Sequence, residues 1–102
     1  MRKILVIGSG KSTSYLLNYL LQKSDSENLF ITVADLEVLH AQKIIENHIN
    51  SKAIVLDVFN DKERKNAIKN SDIVVSMLPA RFHIVVAKDC VLLGKPMVTA
   101  SY

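Results

Sequence analysis

An apolar run that empties straight into two closely spaced glycines constrains this chain more than any other feature. The run is Lys3 to Ile7, and Gly8-Ser9-Gly10-Lys11-Ser12-Thr13 follows, ahead of a stretch with helical spacing. Strand, glycine turn and helix, in that order, are how a parallel α/β sheet presents a helix N-terminus to a phosphate. Gly8 is expected to make the tight turn. Gly10, lacking a side chain, lets the backbone approach a pyrophosphate, whose charge the free N–H groups and dipole of the next turn favour. Gly8, Ser9, Gly10, Lys11 and Ser12 are therefore candidate cofactor-binding residues. The Gly10-Lys11-Ser12 sequence also resembles the end of a P-loop, but that motif needs a further glycine where this chain has Leu5, inside the strand. The dinucleotide pattern departs too, with Thr13 in place of its third glycine.

The rest of the chain alternates helical and strand-like patterns. Leu16, Leu17, Leu20 and Leu21 form a core-facing helical stripe. A polar loop over 23–28 then leads to a short run rich in β-formers, Leu29 to Ala34. It ends at Asp35, where a dinucleotide fold places an acid to accept hydrogen bonds from the adenosine ribose. The competing reading is an aspartate that caps the next helix. Val38, Ala41, Ile45 and Ile49 predict that second helix, closed by Asn50-Ser51, and Ala53 to Leu56 a third strand with Asp57-Val58 at its end, beside the adenine. Asp61 is expected to cap a short third helix carrying Ala67 and Ile68 inward. Ile73 to Leu78 reads as a fourth strand stopped by Pro79, Phe82 to Leu93 as a fourth helix ending at Gly94, and Met97 to Ala100 as a fifth strand. Right-handed crossovers between such elements give a Rossmann-type, doubly wound parallel sheet, for which we expect strand order 3-2-1-4-5. Ligands bind at its switch point between the first and fourth strands.

Composition narrows the classes. A hydrophobic share of 49% in 102 residues excludes disorder and suits one domain with a sheet covered on both faces. No apolar run approaches the roughly 20 residues of a membrane span, so no membrane partner is expected. The N-terminal run goes into a glycine turn rather than a small-residue cleavage site, unlike a signal peptide. A single cysteine, Cys90, cannot form an internal disulfide, and the expected localisation is cytoplasmic. Its apolar neighbours mark a packed, inert thiol. The net charge of +3 is spread along the chain, and the densest basic group, Lys62, Arg64, Lys65 and Lys69, alternates with acids as a solvated helix face does; no nucleic-acid partner is expected. His40 and His48 stand too far apart for a helical metal pair, and no metal site is expected.

From the fourth strand onward the chain resembles a known family. Asp72 to Ala80, then Phe82-His83, Val86-Ala87-Lys88, Cys90, Gly94-Lys95 and Val98-Thr99-Ala100-Ser101-Tyr102, together with Gly8-Ser9-Gly10 and Leu56-Asp57-Val58, look like the N-terminal nucleotide-binding domain of the saccharopine dehydrogenase family. The resemblance implies an NAD(P)-dependent oxidoreductase of lysine and α-aminoadipate metabolism, passing hydride between the nicotinamide and the carbon attached to a secondary amine. Carried over by position, Gly8 to Ser12 would hold the pyrophosphate, Asp35 the ribose, and Asp57 and Val58 the adenine. Leu78, Pro79 and Ala80 would support the nicotinamide, with Phe82 and His83 facing the cleft. Thr13 and Lys11 depart from the family pattern; Lys11 either contacts a phosphate or points to solvent.

NAD is the expected cofactor, ahead of NADP, because Asp35 would face a 2′-phosphate and the next residues, Leu36 and Glu37, offer no cation. Tyr102 directly follows the fifth strand, so the chain reads as an excised cofactor domain. A missing domain would then bind the amine substrate and could form a homodimer. No catalytic residue is assigned here. The alternative is an NAD-sensing regulatory or gating domain without catalysis.

Overall fold

The computed structural model describes residues 1–8, 11–46 and 48–99, with the backbone alone at 11 and 12. The elements follow one another as β1 (Arg2–Ile7), α1 (Lys11–Lys23), β2 (Leu29–Asp35), α2 (Leu39–Ile45), β3 (Ser51–Val55), α3 (Asp61–Lys69), β4 (Ile73–Ser76), a short 3-10 turn (Ala80–Phe82), α4 (His83–Leu93) and β5 (Met97–Thr99). The strands form one parallel sheet in the order β3-β2-β1-β4-β5, the expected topology.

Strand side chains alternate between faces, and the two faces feed two cores. Ile4, Val6, Leu29, Ile31 and Val33 pack with Leu17 of α1 and Ala41 of α2. Leu5, Ile7, Ala34 and Val74 pack with Ile68 of α3 and with Val86 and Cys90 of α4. Each Val, Leu or Ile among them, fully buried, contributes about 1.5–3 kcal/mol. The register sets Ile7 beside Ala34 on one flank and Ser76 on the other. The ladder runs on into the turns: Gly8 N–H donates to Ala34 O at 2.9 Å, Leu56 N–H to Asp35 O at 2.9 Å and Met77 N–H to Ile7 O at 2.8 Å. The C-terminal ends of β1 to β4 are thus held along one edge.

The elements differ from the sequence pattern in several places. β4 stops at Ser76, two residues short of the expected end at Leu78, as the chain leaves the sheet ahead of Pro79 and the 3-10 turn. α2 stops at Ile45, and Ile49 is 90% exposed, because the chain must turn before Asn50 O accepts from Ile31 N–H and Ser51 opens β3. Asn60 rather than Asp61 caps α3, its side chain accepting from Glu63 N–H at 3.0 Å. Arg64, expected on a solvated face, is buried. Gly94 ends α4 in the left-handed conformation, as anticipated. No helix among the described residues is long and apolar enough to cross a membrane.

Candidate functional site

Gly8 opens the site. Its φ is +111°, a conformation that favours glycine, and a Cβ there would press on Met77 at 3.3 Å. α1 begins three residues later with no acid in its first turn, leaving the positive end of its dipole unneutralised. Thr13 is 2% exposed. The departure at the third glycine position is thus absorbed by packing between α1 and the rest of the fold. Ser9 and Gly10 lie outside the described residues, as do the side chains of Lys11 and Ser12 and residues 100–102.

A cleft of about 300 Å³ opens at the C-terminal ends of β1 to β4. It collects Asp35, Asp57, Val58, Leu78 and Pro79, which the sequence placed near a cofactor one by one. It also includes Leu36, Phe59 and Phe82, of which only Phe82 was anticipated in the cleft. A volume at the small end of ligand sites suits one half of a dinucleotide. Asp57 is fixed by its own turn: its carboxylate Oδ1 accepts from Phe59 N–H at 2.9 Å, and its carbonyl from Asn60 N–H at 2.9 Å. Phe59 meets Phe82 edge to face, with centroids 5.2 Å apart, and the Arg81 guanidinium stands over the Phe82 ring at 4.8 Å. These rings join the β3 and β4 sides of the cleft.

Beneath this wall lies Arg64. Nη1 donates to Val58 O at 2.7 Å, Nη2 to Asp61 Oδ1 at 2.7 Å, and Nε to the buried Asp89 carboxylate on α4. Burial alone would lower the guanidinium pKa, but its hydrogen bonds and charge pairing with Asp89 and Asp61 outweigh burial and hold it above its ordinary value. His83 does not line the cleft. Its Nδ1 and Ser76 Oγ are hydrogen-bonded at 2.7 Å, and it borders a separate hollow of about 510 Å³ between α4 and β5, with Ile84, Ala87 and Met97. A groove of about 480 Å³ between α3 and the sheet reaches Lys3 and Asn70, away from the edge where such sheets take ligands. Among the described residues, no three or more His, Cys, Asp or Glu side chains gather as a metal site.

The family described as Saccharopine dehydrogenase NADP binding domain matches residues 4–102. The chain belongs to that family. It is 34% identical over 102 residues to saccharopine dehydrogenase [NADP(+), L-glutamate-forming] of Schizosaccharomyces pombe, covering 100% of this chain and 22% of that protein. It is also 34% identical to the mitochondrial alpha-aminoadipic semialdehyde synthase of Rattus norvegicus, covering 99% of this chain and 11% of the relative. The apo structure of saccharopine dehydrogenase (L-Glu forming) from Saccharomyces cerevisiae superposes with a TM-score of 0.86 at 30% identity, over 100% of this chain and 22% of that one. The chain therefore spans about a fifth or less of the length of these relatives.

Membership corrects the cofactor. The expected preference for NAD is overturned, because the family is an NADP binding domain and its yeast relatives are named as NADP(+) enzymes. That expectation rested on Asp35 repelling a 2′-phosphate. In the structure Asp35 Oδ1 turns toward its own loop, accepting from Glu37 N–H at 3.4 Å, the local bond a strand-end aspartate makes to shape a turn.

Proposed function

We propose that this chain binds NADP(H) across the C-terminal edge of its sheet as the cofactor-binding part of an oxidoreductase. The reaction moves hydride between the nicotinamide and the carbon of a C–N bond in a secondary amine such as saccharopine. The observation that carries this reading is the cleft at the ends of β1 to β4, in a chain whose full length aligns with NADP(+)-dependent saccharopine dehydrogenases.

The fit to the cofactor rests on two features. Gly8, at φ +111°, lets the backbone at the end of β1 turn without a side chain, and the α1 N-terminus carries no competing acid. Gly8, Ser9, Gly10, Lys11 and Ser12 are assigned to the pyrophosphate. Asp57 and Val58 are assigned to the adenine, and Leu78 and Pro79 to the nicotinamide side. Asp35 is assigned to the adenosine ribose, where a 2′-phosphate leaves only the 3′-hydroxyl for its carboxylate to accept. When bound, the cofactor supplies or takes up the hydride; this chain binds it and orients it. Holding the substrate carboxylates and moving the amine proton need groups opposite the nicotinamide. Those are assigned to the greater part of the relatives' length that this chain does not span.

Calorimetric titration with NADPH and NADH tests the reading. NADPH should bind at least tenfold more tightly, equivalent to about 1.4 kcal/mol. Tighter binding of NADH, or no binding of either, overturns it.

A further inference from the structure

Arg64 is 5% exposed and Asp89 is 4% exposed, yet neither belongs to the cleft. A buried ion pair is a weak device for stability, because desolvation of both charges offsets their attraction, and an apolar pair of similar volume often does as well. Its link to Asp61 adds little, since that side chain is 76% exposed. What a buried arginine supplies that an apolar residue cannot is direction: a planar fork whose donors point along fixed lines. Here all three guanidinium nitrogens are engaged, and one bond goes to the backbone carbonyl of Val58.

That carbonyl lies in the middle of the cleft wall. Asp57 and Phe59 flank it, joined to each other by the Phe59 N–H to Asp57 Oδ1 bond at 2.9 Å. The wall is tied to the β4–α4 side twice, through the Phe59–Phe82 ring contact at its rim and through Arg64 to Asp89 beneath it. We propose that Arg64 is a positioning residue of the cofactor site, setting the Asp57–Phe59 wall through the Val58 carbonyl and locking it to α4 through Asp89. This deepens the NADP(H) reading above and rests on it.

The variants are Arg64→Lys, which keeps a positive charge but loses the fork, and Asp89→Asn, which keeps the shape and loses the charge. Each is titrated with NADPH and with adenosine 2′,5′-bisphosphate, well below its melting temperature and after circular dichroism has verified the fold. Ala41→Gly, on the opposite face of the sheet, serves as a control that lowers stability without touching the wall. Arg64→Lys should weaken both ligands at least tenfold and Asp89→Asn about threefold, while Ala41→Gly stays within twofold of the parent chain. A purely structural Arg64 would lower the melting temperature and leave both affinities at the control's level, which overturns the proposal. If Arg64→Lys does not fold, Asp89→Asn decides, and unchanged affinity there overturns the proposal equally. Failure of the unsubstituted chain to bind NADPH would instead remove the functional reading beneath it.

Discussion

The two flanks of the cleft are finished to different degrees. On the β2–β3 side, Asp57, Val58 and Phe59 stand on a framework of short hydrogen bonds, with a buried ion pair below and an aromatic contact above. On the β4–β5 side, α4 carries Ile84, Val91 and Leu92 to solvent, and Val98 of β5 is exposed beside them. Large apolar side chains exposed together on one helix and the neighbouring strand make a patch that a solvated surface rarely carries. The same chain thus lines its cleft closely on the β2–β3 side and leaves apolar side chains of α4 and β5 at the surface on the other. Affinity for cofactor and capacity for chemistry should therefore separate along the sheet.

The sharpest way to break this contrast is to divide the ligand. Adenosine 2′,5′-bisphosphate should retain most of the affinity of NADPH, whereas nicotinamide mononucleotide should bind at least a hundredfold more weakly than the adenosine fragment, about 2.7 kcal/mol. Competition titrations measure both. Comparable affinities for the fragments would mean that the β4–β5 flank is already complete.

A smaller effect tests the ring contact that closes the finished flank. Edge-to-face aromatic pairs contribute about 0.5–1.5 kcal/mol beyond the area they bury. A double-mutant cycle over Phe59→Leu and Phe82→Leu, read by chemical denaturation, should give a coupling of about 1 kcal/mol. Each single variant should weaken the adenosine fragment by about fivefold. A coupling near zero would show that the rings touch without holding the wall.

The fold was legible because its evidence is local. Five apolar runs, the glycine turn and Gly94 each announce an element within a few residues of themselves, and crossover handedness does the rest. That Asp35, Asp57, Val58, Leu78 and Pro79 gather in one cleft was legible for the same reason, since strand ends place them. Arg64 was misread because its decisive partner, Asp89, lies 25 residues away on another helix, while the neighbouring Lys62 and Lys65 suggested a solvated face. The Phe59–Phe82 contact is likewise non-local. His83 was misplaced because its helix start indicated the cleft, whereas the Ser76 hydroxyl draws the ring toward β4. Cofactor choice was misjudged by asking one carboxylate to decide a pocket's charge.

The smallest expected effect asks whether the open flank is nevertheless dry inside. Cys90 borders the hollow between α4 and β5 but is only 2% exposed. Burial first, and then the neighbouring Asp89 charge, push its thiol pKa up. A group whose pKa is raised by folding contributes its stability in full below its unfolded value, about 8.5 for cysteine, and loses it as pH rises through the folded value. Over that range the unfolded chain releases the proton while the native state keeps it, so unfolding becomes easier with increasing pH. Urea denaturation of the parent chain from pH 7 to 10 should show this decline, by at most about 1.4 kcal/mol per pH unit for one group. Cys90→Ala should be less stable at pH 7, where a small cavity replaces the sulfur, yet flatter with pH, and the difference in slope isolates the thiol from the lysines and tyrosines titrating beside it. Equal slopes would mean that water reaches Cys90 through the hollow, and that the core beneath α4 is as open as its outer face.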